Sequence, residues 1–233
     1  MRFGLRGLWT RFLASCFQSR CLGCKAWGSR PVCMTCATAL PLLPDDGCPR
    51  CRGSLSPCPL CTSQSPLAFA YAIGPYQGIL RSAIHGVKFD ARQDLADWLS
   101  GQMARALPPL DADWTLVPVP QSPERLRARG YNQAEWLSRR LPGFPHAPHM
   151  LVRIREGASQ VGHGKTQRWE GLHAAFQGKP SAANKRILLV DDVLTSGATL
   201  YWAAHALREA GALEVRAVVA ARALMQTPSP PPG

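Results

Sequence analysis

The sequence predicts an α/β domain with a mainly parallel sheet, preceded by a small cysteine-rich module. Three observations carry this. From Leu67 onward, apolar runs alternate with patterns of helical period. One of these runs passes straight into acids, hydroxyls and a helix start. Ahead of them, eight cysteines fall in pairs of a single spacing.

Residues 1–66 are read as a short helix followed by the cysteine module, with Ser63-Gln64-Ser65-Pro66 as a linker. Leu5, Leu8, Trp9, Phe12, Leu13 and Cys16 trace one helical face. Arg2, Arg6 and Arg11 interrupt that segment, so its apolar stretch is too short for a signal peptide. No run reaches transmembrane length, and the chain is read as cytoplasmic. Residues 67–224 form the α/β domain, and residues 225–233 form a proline-rich tail expected to be disordered.

Within the α/β domain, strands are expected at Phe69–Ile73, Trp114–Val119, Met150–Ile154, Lys185–Val190 and Glu214–Ala221. Pro118 and Pro120 end the second of these. Helices are expected at Tyr76–Lys88, with Ile79, Leu80, Ala83, Ile84 and Val87 inward, and at Asp94–Leu107 and Tyr131–Leu141. In such a sheet, ligands bind beyond the carboxyl ends of the strands.

The richest stretch is ILLVDDVLTSGATL, residues 187–200. Four apolar residues suit a strand buried on both faces. Asp191 and Asp192 follow, then the loop Thr195-Ser196-Gly197-Ala198-Thr199. Leu200, Ala203, Ala204 and Leu207 have the spacing of a core-facing helix, which Gly211 is placed to stop. Free amides and the positive end of a helix dipole make such a loop a phosphate cradle. Acids beside a phosphate repel it unless they serve another partner, and ribose hydroxyls or a divalent cation both qualify. A sugar phosphate therefore fits better than a nucleoside triphosphate, and no Walker motif is present.

The cysteines are Cys21/Cys24, Cys33/Cys36, Cys48/Cys51 and Cys58/Cys61, with Cys16 left over. Each pair makes a knuckle that grips one tetrahedral ion, and two knuckles complete a site, so two structural zinc ions are expected. Strict pairing without a signal peptide disfavours a secreted disulfide scaffold, and the spacing suits zinc better than an iron–sulfur cluster. Short spacers favour sequential pairing of the knuckles; a cross-braced arrangement would join the first to the third.

Net charge is +12, with Lys+Arg 27 against Asp+Glu 15, which favours a polyanionic partner, nucleic acid or a highly phosphorylated ligand. Arg125, Arg127 and Arg129 alternate along a stretch read as irregular, after a strand end, where they can meet a pyrophosphate or nucleic-acid phosphates. Lys88 ends a helix and is a further candidate for the pyrophosphate. The six histidines, His85, His146, His149, His163, His173 and His205, show no ligand spacing.

VDDVLTSGAT resembles the phosphoribosyl-pyrophosphate (PRPP) loop of type I phosphoribosyltransferases. That resemblance implies that Thr195, Ser196, Gly197, Ala198 and Thr199 hold the 5′-phosphate, that Asp191 and Asp192 hold the ribose hydroxyls, and that magnesium accompanies PRPP. Purine-salvage members carry an acid where Thr195 stands, so general acid or base help to a purine is not expected there. VPVPQSPERLRARGYNQA (117–134), HGVKF (85–89), and Arg153, Gln160, Arg168 with Ala175-Phe176 resemble the signatures of the ComF/GntX family, which also begins with cysteine knuckles. Gly157, His163 and Gly171 depart from that pattern.

The resemblance implies a DNA-handling factor that supports competence, with single-stranded DNA and other DNA-uptake proteins as partners. Trp9, Trp27, Tyr131 and Trp136 are compatible with base stacking. The alternative is a metabolic phosphoribosyltransferase of unknown acceptor, with zinc serving stability alone.

Overall fold

Continuously apolar strands need cover on both faces, and the chain provides it. A computed structural model describes residues 19–44, 48, 50–52, 58, 60–111, 113–155, 172 and 175–224. The N-terminal helix with Leu5, Leu8, Trp9, Phe12, Leu13 and Cys16 lies outside the described residues. So do Gly157, Gln160, His163, Arg168, Gly171 and the tail.

Strands β1 (Ser19–Arg20) and β2 (Trp27–Gly28) form a small antiparallel ribbon, followed by α1 (Met34–Thr38). Then come β3 (Ala70–Pro75), α2 (Gly78–Phe89), α3 (Gln93–Ala106), β4 (Trp114–Pro118), α4 (Pro123–Arg129) and α5 (Gln133–Arg140). An antiparallel pair, β5 (Leu151–Arg153) with β6 (Phe176–Gly178), precedes β7 (Arg186–Leu194), α6 (Ala198–Glu209) and β8 (Glu214–Arg222).

The main sheet is four-stranded and parallel throughout, in the order β3-β8-β7-β4. Successive side chains of β7 enter opposite cores. Ile187 and Leu189 pack with Leu200, Ala203, Ala204 and Leu207 of α6. Leu188 and Val190 pack with Leu80, Ile84 and Val87 of α2, Leu95 and Leu99 of α3, and Leu137 of α5. Each fully buried Leu or Ile adds about 1.5–3 kcal/mol. Gly211, at φ 89°, follows α6, and its N–H reaches the Arg208 carbonyl at 3.0 Å.

Two departures from the sequence reading matter for the site. Strand β7 runs past Val190 to Leu194, because its pairing with β8 continues through Asp191, Val193 and Leu194, so both acids lie within the strand. The arginine stretch is helical. Ser122 caps α4 by accepting from the Arg125 N–H, Pro123 occupies its first turn, and Gly130 ends it at φ 81°.

Both outer strands have company. Beyond β4, the Leu116 N–H donates to the Pro145 carbonyl at 2.7 Å, and the Ala147 N–H donates to the Leu116 carbonyl at 2.9 Å. Beyond β3, the Ala70 N–H donates to the Arg50 carbonyl at 3.0 Å. The Arg50 guanidinium in turn donates to the carbonyls of Ala68, Leu67, Thr62 and Cys61. The segment read as a linker is thereby pinned, with Ser65 Oγ donating to the Leu60 carbonyl at 2.6 Å and Leu67 buried. Among the described residues no helix is long and apolar enough to cross a membrane.

Candidate functional site

The first N–H groups of a helix have no partner within it. In α6 those groups open onto residues 195–197, with no acid in the first turn to fill the place of an anion. Gly197 is the turning point, at φ 87°, where only glycine is unstrained. A Cβ there would lie 3.0–3.2 Å from three atoms of the Leu60 side chain. Leu60 sits inside the Cys58/Cys61 knuckle and is 1% exposed, so the cysteine module forms the floor under the loop. Thr195 is exposed, and Ser196 and Thr199 are half-buried, so the hydroxyls and amides together can receive a phosphate-sized anion.

The two acids are not equivalent. Asp192 is buried and engaged at both oxygens: Lys88 Nζ stands 2.9 Å from Oδ1, and Gln133 Nε2 donates to Oδ2 at 2.5 Å. Asp191 is half-buried, and its Oδ1 accepts the Asp192 N–H at 2.8 Å. Burial and the Asp192 carboxylate push the Asp191 carboxyl up to about 7, against the weaker pull of Lys88 and Arg125. Asp191 is thus the acid poised to accept from a hydroxyl or meet a cation.

Gln133 ties the site together. Besides donating to Asp192, its Oε1 accepts from Arg129 Nη1 at 2.5 Å and from Gln121 Nε2. Nearby, Tyr131 Oη donates to the Val87 carbonyl at 2.5 Å, one residue before Lys88. Three segments far apart in sequence, HGVKF, RGYNQA and VDD, therefore meet through side-chain bonds. Asn132 makes this possible by capping α5, accepting from the Ala134 N–H while donating to the Val119 carbonyl.

The arginines divide. On a helix of 3.6 residues per turn, Arg125 and Arg129 share a face and Arg127 points away, so the three do not converge on one group. Arg125 and Arg127 are exposed. Arg129 is half-buried, bonded to Gln133 and placed over the Phe89 ring at 5.3 Å. Of the aromatics, Trp27 is 63% exposed. Tyr131 and Trp136 instead stack on each other at 4.0 Å, which occupies one face of each ring.

The eight paired cysteines gather as Cys21, Cys24, Cys33 and Cys36, and as Cys48, Cys51, Cys58 and Cys61, each set with sulfurs within 4.8 Å of one another. This is the sequential grouping. Sγ separations of 3.8 Å (Cys24–Cys33) and 3.5 Å (Cys51–Cys58) far exceed a disulfide bond. They match the edge, roughly 3.8 Å, of a tetrahedron of thiolates 2.3 Å from an ion. Hydrogen bonding with Cys33, burial, and the Cys21 and Cys24 sulfurs push the Cys36 thiol up to about 12. Burial opposes ionisation of Cys21, yet amides including the Cys33 N–H at 3.3 Å bring it down to about 6. Contact with the Cys51 sulfur, then burial, drive Cys61 far up. Thiols this close cannot all ionise without a cation, so both sets fit a metal ion.

Sequence reading took Gln133, with Asn132, only as a residue that helps shape the arginine loop, and it passed over two others, Leu60 and Arg222. Gln133 opens a helix just behind its cap, where a side chain faces the strand ends. Leu60 is an apolar residue inside a knuckle. Arg222 is a charge that ends the apolar run of β8, and it is 7% exposed.

A family model described as a phosphoribosyl transferase domain matches residues 128–230. Competence protein ComFC of Streptococcus pneumoniae is 27% identical over 194 residues, covering 79% of this chain and 84% of that protein. Competence protein F of Haemophilus influenzae is 29% identical over 231 residues, covering 89% and 98%. DNA utilization protein YhgH of Salmonella typhimurium is 29% identical over 204 residues, covering 82% and 88%. Among solved structures, the allosteric regulatory enzyme of purine biosynthesis matches at TM-score 0.38 and 22% identity, over 58% of this chain and 30% of that one. So loose a likeness adds nothing to the fold, which stands on the sheet order and the family model.

Proposed function

Because the chain belongs to the ComF/YhgH family and carries a phosphoribosyltransferase domain, we propose that it binds PRPP or a related sugar phosphate at the carboxyl end of β7. The observation that supports this best is the path of β7. It carries Asp191 and Asp192 to the sheet edge and passes, through Gly197, into the open N-terminus of α6. On this reading the amides and hydroxyls of Thr195, Ser196, Gly197, Ala198 and Thr199 receive the 5′-phosphate. Asp191 accepts from the ribose hydroxyls directly. Asp192 joins it when an incoming pyrophosphate draws Lys88 away, and Arg125 adds charge from the same side.

Magnesium, bound through one or two carboxylates and the ligand's own phosphates, would neutralise the pyrophosphate. The protein's part is to hold the sugar and stabilise the leaving charge. Thr195 supplies no acid or base to an acceptor. The two ions we assign to the cysteine sets are zinc, with four thiolates each and no open position, so their role is structural.

The wider role we propose is support of DNA uptake, with single-stranded DNA as a partner. It draws on the names of the relatives and on the net charge of +12. Two titrations test the reading: PRPP with magnesium, and an oligonucleotide at several salt concentrations. PRPP affinity that falls in Asp191→Ala, together with oligonucleotide affinity that falls steeply with salt, is the expected pair. No PRPP binding by the wild type defeats the site. Binding of PRPP without DNA, with the phosphoribosyl group passed to a defined acceptor and pyrophosphate released, transfers the chain to metabolism.

A further inference from the structure

Several arginines among the described residues have partners for their side chains. Arg216 pairs with Glu214, Arg186 with Asp111, Arg140 with Asp97, and Arg50 holds four carbonyls. Arg222 is different. It is the one arginine among the described residues counted with the buried polar groups, at 7% exposure. Its Nε and Nη1 are fully buried with no hydrogen-bond partner, and no described carboxylate pairs with it. A guanidinium cannot shed its proton, so an unpaired buried one is costly to keep.

Its position is fixed from both sides. Arg222 closes β8 at the carboxyl edge of the sheet, in register with Leu194 and with Pro75 of β3. The Ala223 N–H donates to the Leu194 carbonyl at 2.9 Å, and the Tyr76 N–H donates to the Arg222 carbonyl at 2.7 Å. Leu194 is the residue from which the 195–199 loop departs. A stranded cation thus stands one strand away from an open helix N-terminus, on the side of β7 away from β4 and the helix that carries Arg125, Arg127 and Arg129.

We infer that Arg222 is an oxyanion-binding residue of this site, taking a phosphoryl or carboxylate group that arrives with the ligand. This rests on the sugar-phosphate reading only for the identity of the ligand. The planar fork of arginine matches both kinds of oxyanion, and a buried setting strengthens the pairing. Two sources fit: the phosphoryl group of the sugar phosphate itself, or the acidic group of a second molecule bound beside it.

Full-length Arg222→Met and Arg222→Lys separate these sources. Without ligand, Arg222→Met melts at or above the wild-type temperature, since it removes an unpaired charge and keeps most of the volume. If the first source is right, Arg222→Met weakens ribose 5-phosphate binding tenfold or more and Arg222→Lys restores part of it. If the second is right, ribose 5-phosphate binds all three proteins alike, but only a cation at this position lets the saturated protein bind inorganic sulfate. Equal behaviour of all three proteins in both titrations overturns the inference, as does an Arg222→Met that melts lower or fails to fold. A wild type that ignores ribose 5-phosphate, yet loses sulfate binding on Arg222→Met, sinks the sugar-phosphate reading and leaves the oxyanion site standing.

Discussion

Gly197→Ala is the sharpest test of the contact between the cysteine module and the loop. Alanine at φ 87° costs about 1–2 kcal/mol in backbone strain. Its Cβ would stand 3.0 Å from Leu60 Cδ2, 3.1 Å from Cδ1 and 3.2 Å from Cβ. Overpacking of this kind adds about 1–3 kcal/mol. The sum, about 2–5 kcal/mol, is a large part of the 5–15 kcal/mol typical of a domain. Leu60→Ala alone removes a side chain that is 1% exposed and costs about 2–5 kcal/mol. In the double variant the two δ-carbons are gone and only the Cβ contact remains. The pair should therefore be less damaging than the sum of the singles, by about 1–2 kcal/mol. Urea denaturation in reducing, zinc-replete buffer, followed by tryptophan fluorescence, measures all four corners of the cycle. Additivity to within about 0.5 kcal/mol would refute the claim that Leu60 supports the loop.

Three more outcomes are expected. Lys88→Met strands a carboxylate whose side chain is 9% exposed, costing about 1.5–3 kcal/mol by denaturation midpoint, and adding Asp192→Asn recovers most of it; a neutral Lys88→Met denies the pair. For Asp191, raised from 3.8 to about 7, the neutral form is favoured in the fold, so its stabilising contribution is complete below about 3.8 and vanishes as pH climbs through 7. Magnesium needs the ionised form, so magnesium-dependent PRPP affinity should rise between pH 6 and 8 and flatten in Asp191→Asn; a flat wild-type profile contradicts this. Arg129→Ala breaks the bond to Gln133 and should lower stability by about 0.5–1.5 kcal/mol. Arg127→Ala, at an exposed position, should leave stability alone and weaken oligonucleotide binding at low salt; equal melting of the two variants argues against the network.

Periodicity sufficed where burial was two-sided. The strands Lys185–Val190 and Glu214–Ala221, and the inward face of α6, are readable because a parallel sheet covered on both faces demands apolar runs. The end of β7 was not readable, since pairing with β8 overrides the reluctance of acids to enter a strand. Helix α4 carries its caps in the sequence, at Ser122, Pro123 and Gly130, but it is seven residues long and buries none of them, so no apolar period marks it. The cysteine spacing foretold the two four-sulfur sets and their sequential grouping. The meeting of Lys88, Gln133 and Asp192 depends on contacts between residues 59 or more positions apart, and no local pattern encodes it.

The covering of β3 has a practical consequence. Its outer row of amides and carbonyls is met at one end by the Arg50 carbonyl, and the Pro41 carbonyl lies close over Gly74, where a Cβ would stand 2.5 Å from its oxygen. The knuckles thus shield a strand that would otherwise recruit strands from neighbouring molecules. A truncated version starting near residue 67 would lose that shield along with the floor beneath Gly197. Self-association and precipitation of such a fragment would then report a bare sheet margin, and would say nothing about whether the remaining domain can hold its ligand.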